Sequence, residues 1–257
     1  MSESVCPLCG GSGWKIVERE GASGAERCNC RDGQRSIVIE ERSGIPPLYR
    51  NASFDNFKLP ADNPTAHRSL ANVLLAVKSF TREFPAEKKP GLMLIGEPGT
   101  GKTHLAVAAL RILIDRGFEG VFLDFQSLLS RIRASFNKHS ESTERDGLRS
   151  AMETGVLLLD DLGAHRIKEF VEDTVTELIT YRCNHQKPVI VTTNLYDDAS
   201  SSGDIERDSG LEAKIYSKFR LSERIGGRAR SRLFEMCRVV HMPAVKDYRL
   251  PKTGKAY

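Results

Sequence analysis

The stretch Gly96-Glu97-Pro98-Gly99-Thr100-Gly101-Lys102-Thr103 follows the pattern G-x-x-x-x-G-K-[ST], and each fixed position has a task in holding a polyphosphate. Gly96, Gly99 and Gly101 permit tight backbone turns that aim successive N–H groups at phosphate oxygens. The Lys102 ammonium reaches the β- and γ-phosphates, and the Thr103 hydroxyl is a ligand for Mg²⁺. With His104 next along the chain, these residues form the candidate contact set for ATP or GTP. A glycine-rich turn without a ligand is the bland alternative, and the flanks weigh against it. Leu92-Met93-Leu94-Ile95 suits a short buried parallel strand. Residues 103–116 lack Gly and Pro, place Leu105, Ala109, Ile112 and Leu113 at helical spacing, and stop at Gly117.

Hydrolysis needs carboxylates near those phosphates. Val156-Leu157-Leu158-Leu159-Asp160-Asp161 is an apolar run closed by two acids, a Walker B pattern that puts carboxylates at the carboxyl edge of a sheet. Asp160 is assigned to Mg²⁺, and Asp161 to orienting or polarising the attacking water. Pleat alternation is expected to turn the two side chains apart. Val189-Ile190-Val191-Thr192-Thr193-Asn194 is a further strand with a polar end, where Asn194 is placed to sense the γ-phosphate or the nucleophilic water. A plain turn is the competing reading there. Arg228 and Arg232, four apart in an arginine-rich C-terminal segment, share a face if that segment is helical. Such an arginine, delivered to a neighbouring subunit's γ-phosphate, would stabilise transition-state charge, whereas a solvated basic face would do nothing.

The elements that must carry these groups alternate strand and helix, as a parallel α/β sheet requires. Val121–Asp124 reads as the strand after the first helix, followed by a helix through Leu128, Leu129, Ile132 and Phe136. Residues 137–147 are polar and read as an exposed loop, and 169–186 as a long helix halted before Pro188. Upstream, 65–80 reads as an amphipathic helix with Leu70, Val73, Leu74 and Val77 on one face. Before it, the prolines of Ile45–Phe57 forbid a continuous helix, and Tyr49, Phe54 and Phe57 read as anchors docking a linker onto the next domain.

Four of the six cysteines fall in the first thirty residues. Cys6 and Cys9 form a C-x-x-C turn, and Cys28 and Cys30 a C-x-C pair; four thiolates in two pairs suit a tetrahedral, structural Zn²⁺. Unpaired or redox-active thiols are the alternative. The expected organisation is a partner-docking module over 1–40, a linker over 41–64 and a nucleotide-hydrolysing domain over 65–257. With 38 basic and 34 acidic residues, the net charge of +4 permits a nucleic-acid partner without demanding one. No apolar stretch approaches the roughly 20 residues that span a bilayer, and the start lacks the features of a secretory signal. A cytoplasmic protein with no membrane partner is expected.

Taken together, Ile45–Phe57, Gly96–Thr103, Leu158–Gly163, Tyr181–Asn184, Thr192–Leu195 and Arg228–Leu233 resemble the DnaC/DnaI/IstB group of AAA+ ATPases, over about residues 45–250. The resemblance implies an α/β P-loop fold with a parallel five-stranded sheet of order 5-1-4-3-2 flanked by helices. It implies ATP-dependent homo-oligomer assembly, contact with single-stranded DNA, and a DnaB-type replicative helicase as partner. It further implies Arg228 as the trans-acting finger and Arg232 as a second sensor. By position, residues 1–40 resemble the metal-binding, helicase-contacting module of the DnaI-type members. Transposition regulation of the IstB kind, or a nucleotide-gated adaptor with negligible hydrolysis, are the other functions open to such a chain. The serine-rich stretch 197–215 departs from the group's pattern.

Overall fold

The computed structural model describes residues 7–9, 14–19, 22–27, 42–86, 88–135, 143–164, 169–197, 220–245 and 247–249. Near the amino end, Pro7–Cys9 form a turn, and β1 (Trp14–Arg19) pairs antiparallel with β2 (Ala22–Arg27). Cys6, Cys28 and Cys30 lie outside the described residues, so of the four proposed zinc ligands only Cys9 is placed.

The linker contains a 3-10 turn at Pro47–Tyr49 and then packs its aromatic residues inward, with Phe54 and Phe57 buried in the main core. Its start also touches the sheet: the Ser43 carbonyl accepts from the Phe122 N–H at 2.6 Å. Helix α1 (Pro64–Glu83) begins at Asn63, whose side chain accepts from the Ala66 N–H, with Pro64 in the first turn, where its missing donor costs nothing. It buries Leu70, Val73, Val77 and Phe80, the face expected from the periodicity.

From there strand and helix alternate: β3 (Gly91–Ile95), α2 (Lys102–Asp115), β4 (Gly120–Asp124), α3 (Phe125–Ser135), α4 (Thr143–Glu153), β5 (Val156–Asp160), α5 (Glu169–Asn184), β6 (Val189–Thr193), α6 (Leu221–Ile225), α7 (Gly227–Met236) and β7 (Cys237–His241). The sheet runs β4-β5-β6-β3-β7 with every pairing parallel. Numbered from its first strand and read from the β7 edge, that is the expected order 5-1-4-3-2.

Alternate strand residues feed two cores, one on each face of the sheet. Leu92, Leu94, Leu158 and Ile190 join α1, α2 and the linker, while Met93, Ile95, Leu157, Leu159 and Val191 join α3, α5, α6 and α7. One expectation is corrected. In the polar stretch 137–147, expected to be a loop, residues 143–147 are helical, since α4 starts at Thr143, and residues 137–142 lie outside the described residues; helix propensity outweighs polarity in that segment. The arginine-rich segment is helical on both sides of Gly226, whose φ of +83° breaks it into α6 and α7.

Candidate nucleotide-binding site

The carboxyl ends of β3, β6 and β5 lie side by side, which brings the loop 96–103, Thr192–Asn194 and Asp160-Asp161 to one edge of the sheet. In the loop, the Glu97 carbonyl accepts from Lys102 Nζ at 2.7 Å and from Thr100 Oγ1 at 2.8 Å. Burial pushes the Lys102 ammonium down to about 8, against the pull of Asp161, Asp160 and Glu97 and with the push of Arg249. Gly99 and Gly101 have φ of +74° and +91°, so both positions need glycine. Gly101 is also crowded: a Cβ there would meet Phe57 Cε2 at 2.6 Å. The linker thus lies against the phosphate loop. His104 serves that contact too, its Nε2 2.8 Å from the Ser53 carbonyl and its ring 5.6 Å from that of Phe57.

The register of β5 on β6 pairs Leu159 with Val191, which sets Asp160 beside Thr192. The Asp160 Oδ1 accepts from Thr192 Oγ1 at 2.6 Å and from Thr103 Oγ1 at 2.9 Å, tying strand end to phosphate loop. Burial raises the Asp160 carboxyl above its ordinary value, while these two hydroxyls oppose the rise. A carboxylate and a hydroxyl 2.9 Å apart at a helix N-terminus are hard oxygen donors that fit Mg²⁺, with the remaining positions left to phosphate and water. Among the described residues there is no cluster of three or more His, Cys, Asp or Glu side chains suited to holding a metal by themselves.

Asp161 faces elsewhere, and for a different reason than strand alternation. Its φ is +56°, a left-handed turn just past the end of β5. Its N–H donates to Thr192 Oγ1 at 2.9 Å, and its Oδ1 accepts from Asn194 Nδ2 at 2.7 Å. Thr103, Asp160, Asp161 and Asn194 are therefore one hydrogen-bonded group centred on Thr192, while Lys102, bonded to the Glu97 carbonyl, meets that group through the charge of its two carboxylates. The sequence reading gave Thr192 no role; a hydroxyl pair, Thr192-Thr193, closing an apolar strand was the available signal.

Arg228 and Arg232 lie elsewhere. With Thr176, Thr180 and Ser231 they line an open groove of about 560 Å³ between α5 and α7, and Arg232 Nη1 also bonds Glu235 at 2.7 Å. The arginine whose charge acts on Lys102 is Arg249, in a C-terminal segment that folds over the phosphate loop. There the Tyr248 N–H donates to the Gly99 carbonyl at 3.2 Å, and the Asp247 carboxylate occupies the space a side chain on Gly99 would need. No motif announced this segment, because its residues act through where β7 delivers them. A last contact links the loop to the chain after β6: Tyr196 donates its hydroxyl to Glu97 Oε1 at 3.4 Å.

Residues 48–202 match the family model described as "IstB-like ATP binding protein". The chain is 30% identical over 154 residues to the replicative helicase loader DnaC of Buchnera aphidicola subsp. Acyrthosiphon pisum, a match covering 60% of each chain. The chain thus spans about 60% of the length of the curated relatives it matches. Among solved structures it is similar to a crystal structure of the DnaC helicase loader, at 30% identity and a TM-score of 0.59, over 76% of this chain and 99% of that one. It is also similar in fold to DnaI, at 21% identity and a TM-score of 0.56, over 77% of this chain and 94% of that one. The matched family region stops short of both groove arginines and of Arg249.

Proposed function

Because the chain belongs to the IstB-like ATP-binding protein family and has the AAA+ fold of the DnaC/DnaI helicase loaders, we propose that it is an ATP-hydrolysing helicase loader. In this reading it assembles through ATP on a replicative helicase and single-stranded DNA. The observation that carries the hydrolytic part is the division of labour between two adjacent carboxylates. Asp160 is bonded to the loop's Thr103 at 2.9 Å, and Asp161 is turned away and held by Asn194 at 2.7 Å.

Lys102, the loop N–H groups and the start of α2 bind the phosphates, and Thr103 and Asp160 hold Mg²⁺, which would neutralise charge on the β- and γ-phosphates. Asp161 accepts a hydrogen bond from the attacking water, and Asn194 fixes the carboxylate that does so. Arg228 or Arg232 comes from the next subunit, since the groove they line opens outward beside α5. Two such sites differ in cost: an arginine supplied in trans makes turnover depend on assembly. The cysteine-bearing amino end supplies the helicase contact, with zinc as its structural metal.

Two measurements test this reading. Asp161→Asn should bind nucleotide as the intact chain does and lose roughly 100-fold in single-turnover hydrolysis. Capture from host extract with ATP present should recover a hexameric helicase. Recovery of a transposase without helicase would instead favour the transposition regulator; equal hydrolysis by Asp161→Asn would remove Asp161 from the role given to it, and negligible single-turnover hydrolysis by the intact chain would leave only a nucleotide-gated adaptor.

A further inference from the structure

The chain leaving β6 touches the phosphate loop and the arginine helix within two consecutive residues. Tyr196 reaches Glu97 of the loop with its hydroxyl, and its backbone bridges Arg220 and accepts from the Leu221 N–H at 3.3 Å, at the start of α6. Asp197 is buried and accepts from Arg230, with Nε at 2.7 Å and Nη2 closer still. Arg230 sits on α7 between Arg228 and Arg232, and its guanidinium lies 4.8 Å from the centre of the Phe234 ring on the same helix. Ala229 and Leu233, on an adjoining face, are buried against the core. Among the described residues the helix therefore has an apolar anchor, a charged tether at Arg230 and, near its far end, the Lys89 ammonium donating to the Phe234 carbonyl at 3.3 Å. Glu97 is itself tied to the nucleotide machinery, because its carbonyl holds Lys102 Nζ at 2.7 Å. Phosphates that draw Lys102 away from that carbonyl free the loop to move Glu97, and Tyr196 with it.

We propose that Tyr196, Asp197 and Arg230 form a latch that sets the position of α7, and so of Arg228 and Arg232, according to whether the phosphate loop is filled. Arg230 is a positioning residue; it does not itself touch nucleotide. The alternative, a surface ion pair that merely fastens a helix, is worth little to stability when exposed. It gives no reason for a nearly buried Asp197 to lie one residue from the side chain that reaches Glu97. The latch matters to catalysis through the reading of the site as shared between subunits, and it rests on that reading for its purpose only.

The lone subunit tests the latch without that reading. With saturating ATP, verified by direct binding, hydrogen exchange along α7 should slow about tenfold in the intact chain. In Tyr196→Phe and Asp197→Asn, both nearly isosteric, the slowing should fall below about twofold while thermal unfolding stays within a few degrees. Equal slowing in the variants, or none in the intact chain, overturns the latch. Mixed subunits then test its purpose. Acceptors carry Arg228→Ala and Arg232→Ala, and donors carry Asp161→Asn, which keeps the donor's phosphate loop filled while removing its own hydrolysis, so turnover arises only where a donor's arginines complete an acceptor's site. Adding Asp197→Asn to the donor should lower kcat of the mixture about tenfold with KM unchanged, the loss of one coupled interaction. Unchanged kcat overturns the latch's effect on the arginines. No turnover with the latch-intact donor would sink the shared site and leave the exchange result to stand.

Discussion

Lys102 and Arg182 are both long cations taken out of water, at opposite edges of the same sheet, and they are used in opposite ways. Arg182 spends its planar fork on backbone carbonyls that close α4 and open β5 and β6. Its Nη1 donates to Ala151, Met152 and Thr154 at 2.8, 3.1 and 3.1 Å, and its Nη2 to Gly155 and Pro188 at 3.4 and 2.5 Å. Burial pushes it down to about 10, where it remains charged near neutrality. Every acceptor is fixed backbone, so nothing in that arrangement changes during a reaction. Lys102 has one carbonyl bond, at 2.7 Å, and three carboxylates, of Asp161, Asp160 and Glu97, near enough to pull on its charge. A buried cation whose terminal nitrogens are held by fixed carbonyls is structural, while one left beside carboxylates at an open sheet edge is poised for a ligand.

The two residues should therefore fail differently. Lys102→Ala should lose nucleotide binding or at least 100-fold in turnover, yet unfold no earlier than the intact chain, since a desolvated charge has been removed. Arg182→Met should do the reverse. Five carbonyls lose their donor, and the cost of about 3 kcal/mol or more should appear in denaturant titration as a lower midpoint with an unchanged slope. The folded fraction should bind nucleotide with its original affinity. A variant at Arg182 that lost affinity while keeping stability would erase the distinction.

The contrast also marks what the sequence made legible. The loop glycines, Lys102 and Thr103 follow from spacing within one short segment, and the acid pair from the apolar run that it closes. Asn194 was reachable because a polar end on an apolar strand in an alternating α/β pattern must fall at the same sheet edge. Thr192 as hub depends on register, Leu159 opposite Val191, which no local pattern encodes. The left-handed turn at Asp161 was likewise hidden, since aspartate at φ of +56° is set by its bonds to Thr192 and Asn194. Arg182 lies in the motif Tyr181–Asn184 without its role being visible there, because four of its five acceptors lie about thirty residues upstream, in the stretch 151–155.

Protonation sharpens the comparison further. Lys102 has a folded value of about 8 against an ordinary 10.5, so its depressed value is a cost of folding that is present in full below pH 8. That cost fades as pH rises toward 10.5, so the nucleotide-free protein gains stability from this residue across that window. Phosphates restore the charge. Binding at pH 8 should therefore take up about half a proton, seen in calorimetry across buffers of different ionisation enthalpy. Lys102→Met should bind weakly and with no such uptake. Arg182, charged on both sides of the event, should contribute none, and uptake surviving in Lys102→Met would assign the proton elsewhere.

The smallest effect belongs to Arg249, whose charge opposes that of Lys102 from a largely exposed position. Its place is fixed by its own N–H, which donates to Asp247 Oδ1 at 2.8 Å, and by the Tyr248 bond to Gly99. In the nucleotide-free protein the two cations repel; with phosphates between them both are attracted to the same charge. Arg249→Ala should thus raise the Lys102 value slightly while weakening nucleotide binding about fivefold at low salt. The deficit should shrink toward nothing by roughly 0.5 M salt, because an exposed charge is screened where a buried one is not. Lys102→Ala should keep its defect at both salts. A salt-independent loss at Arg249 would mean that the guanidinium enters the closed site with nucleotide, and would move it to the side of Lys102 in the comparison.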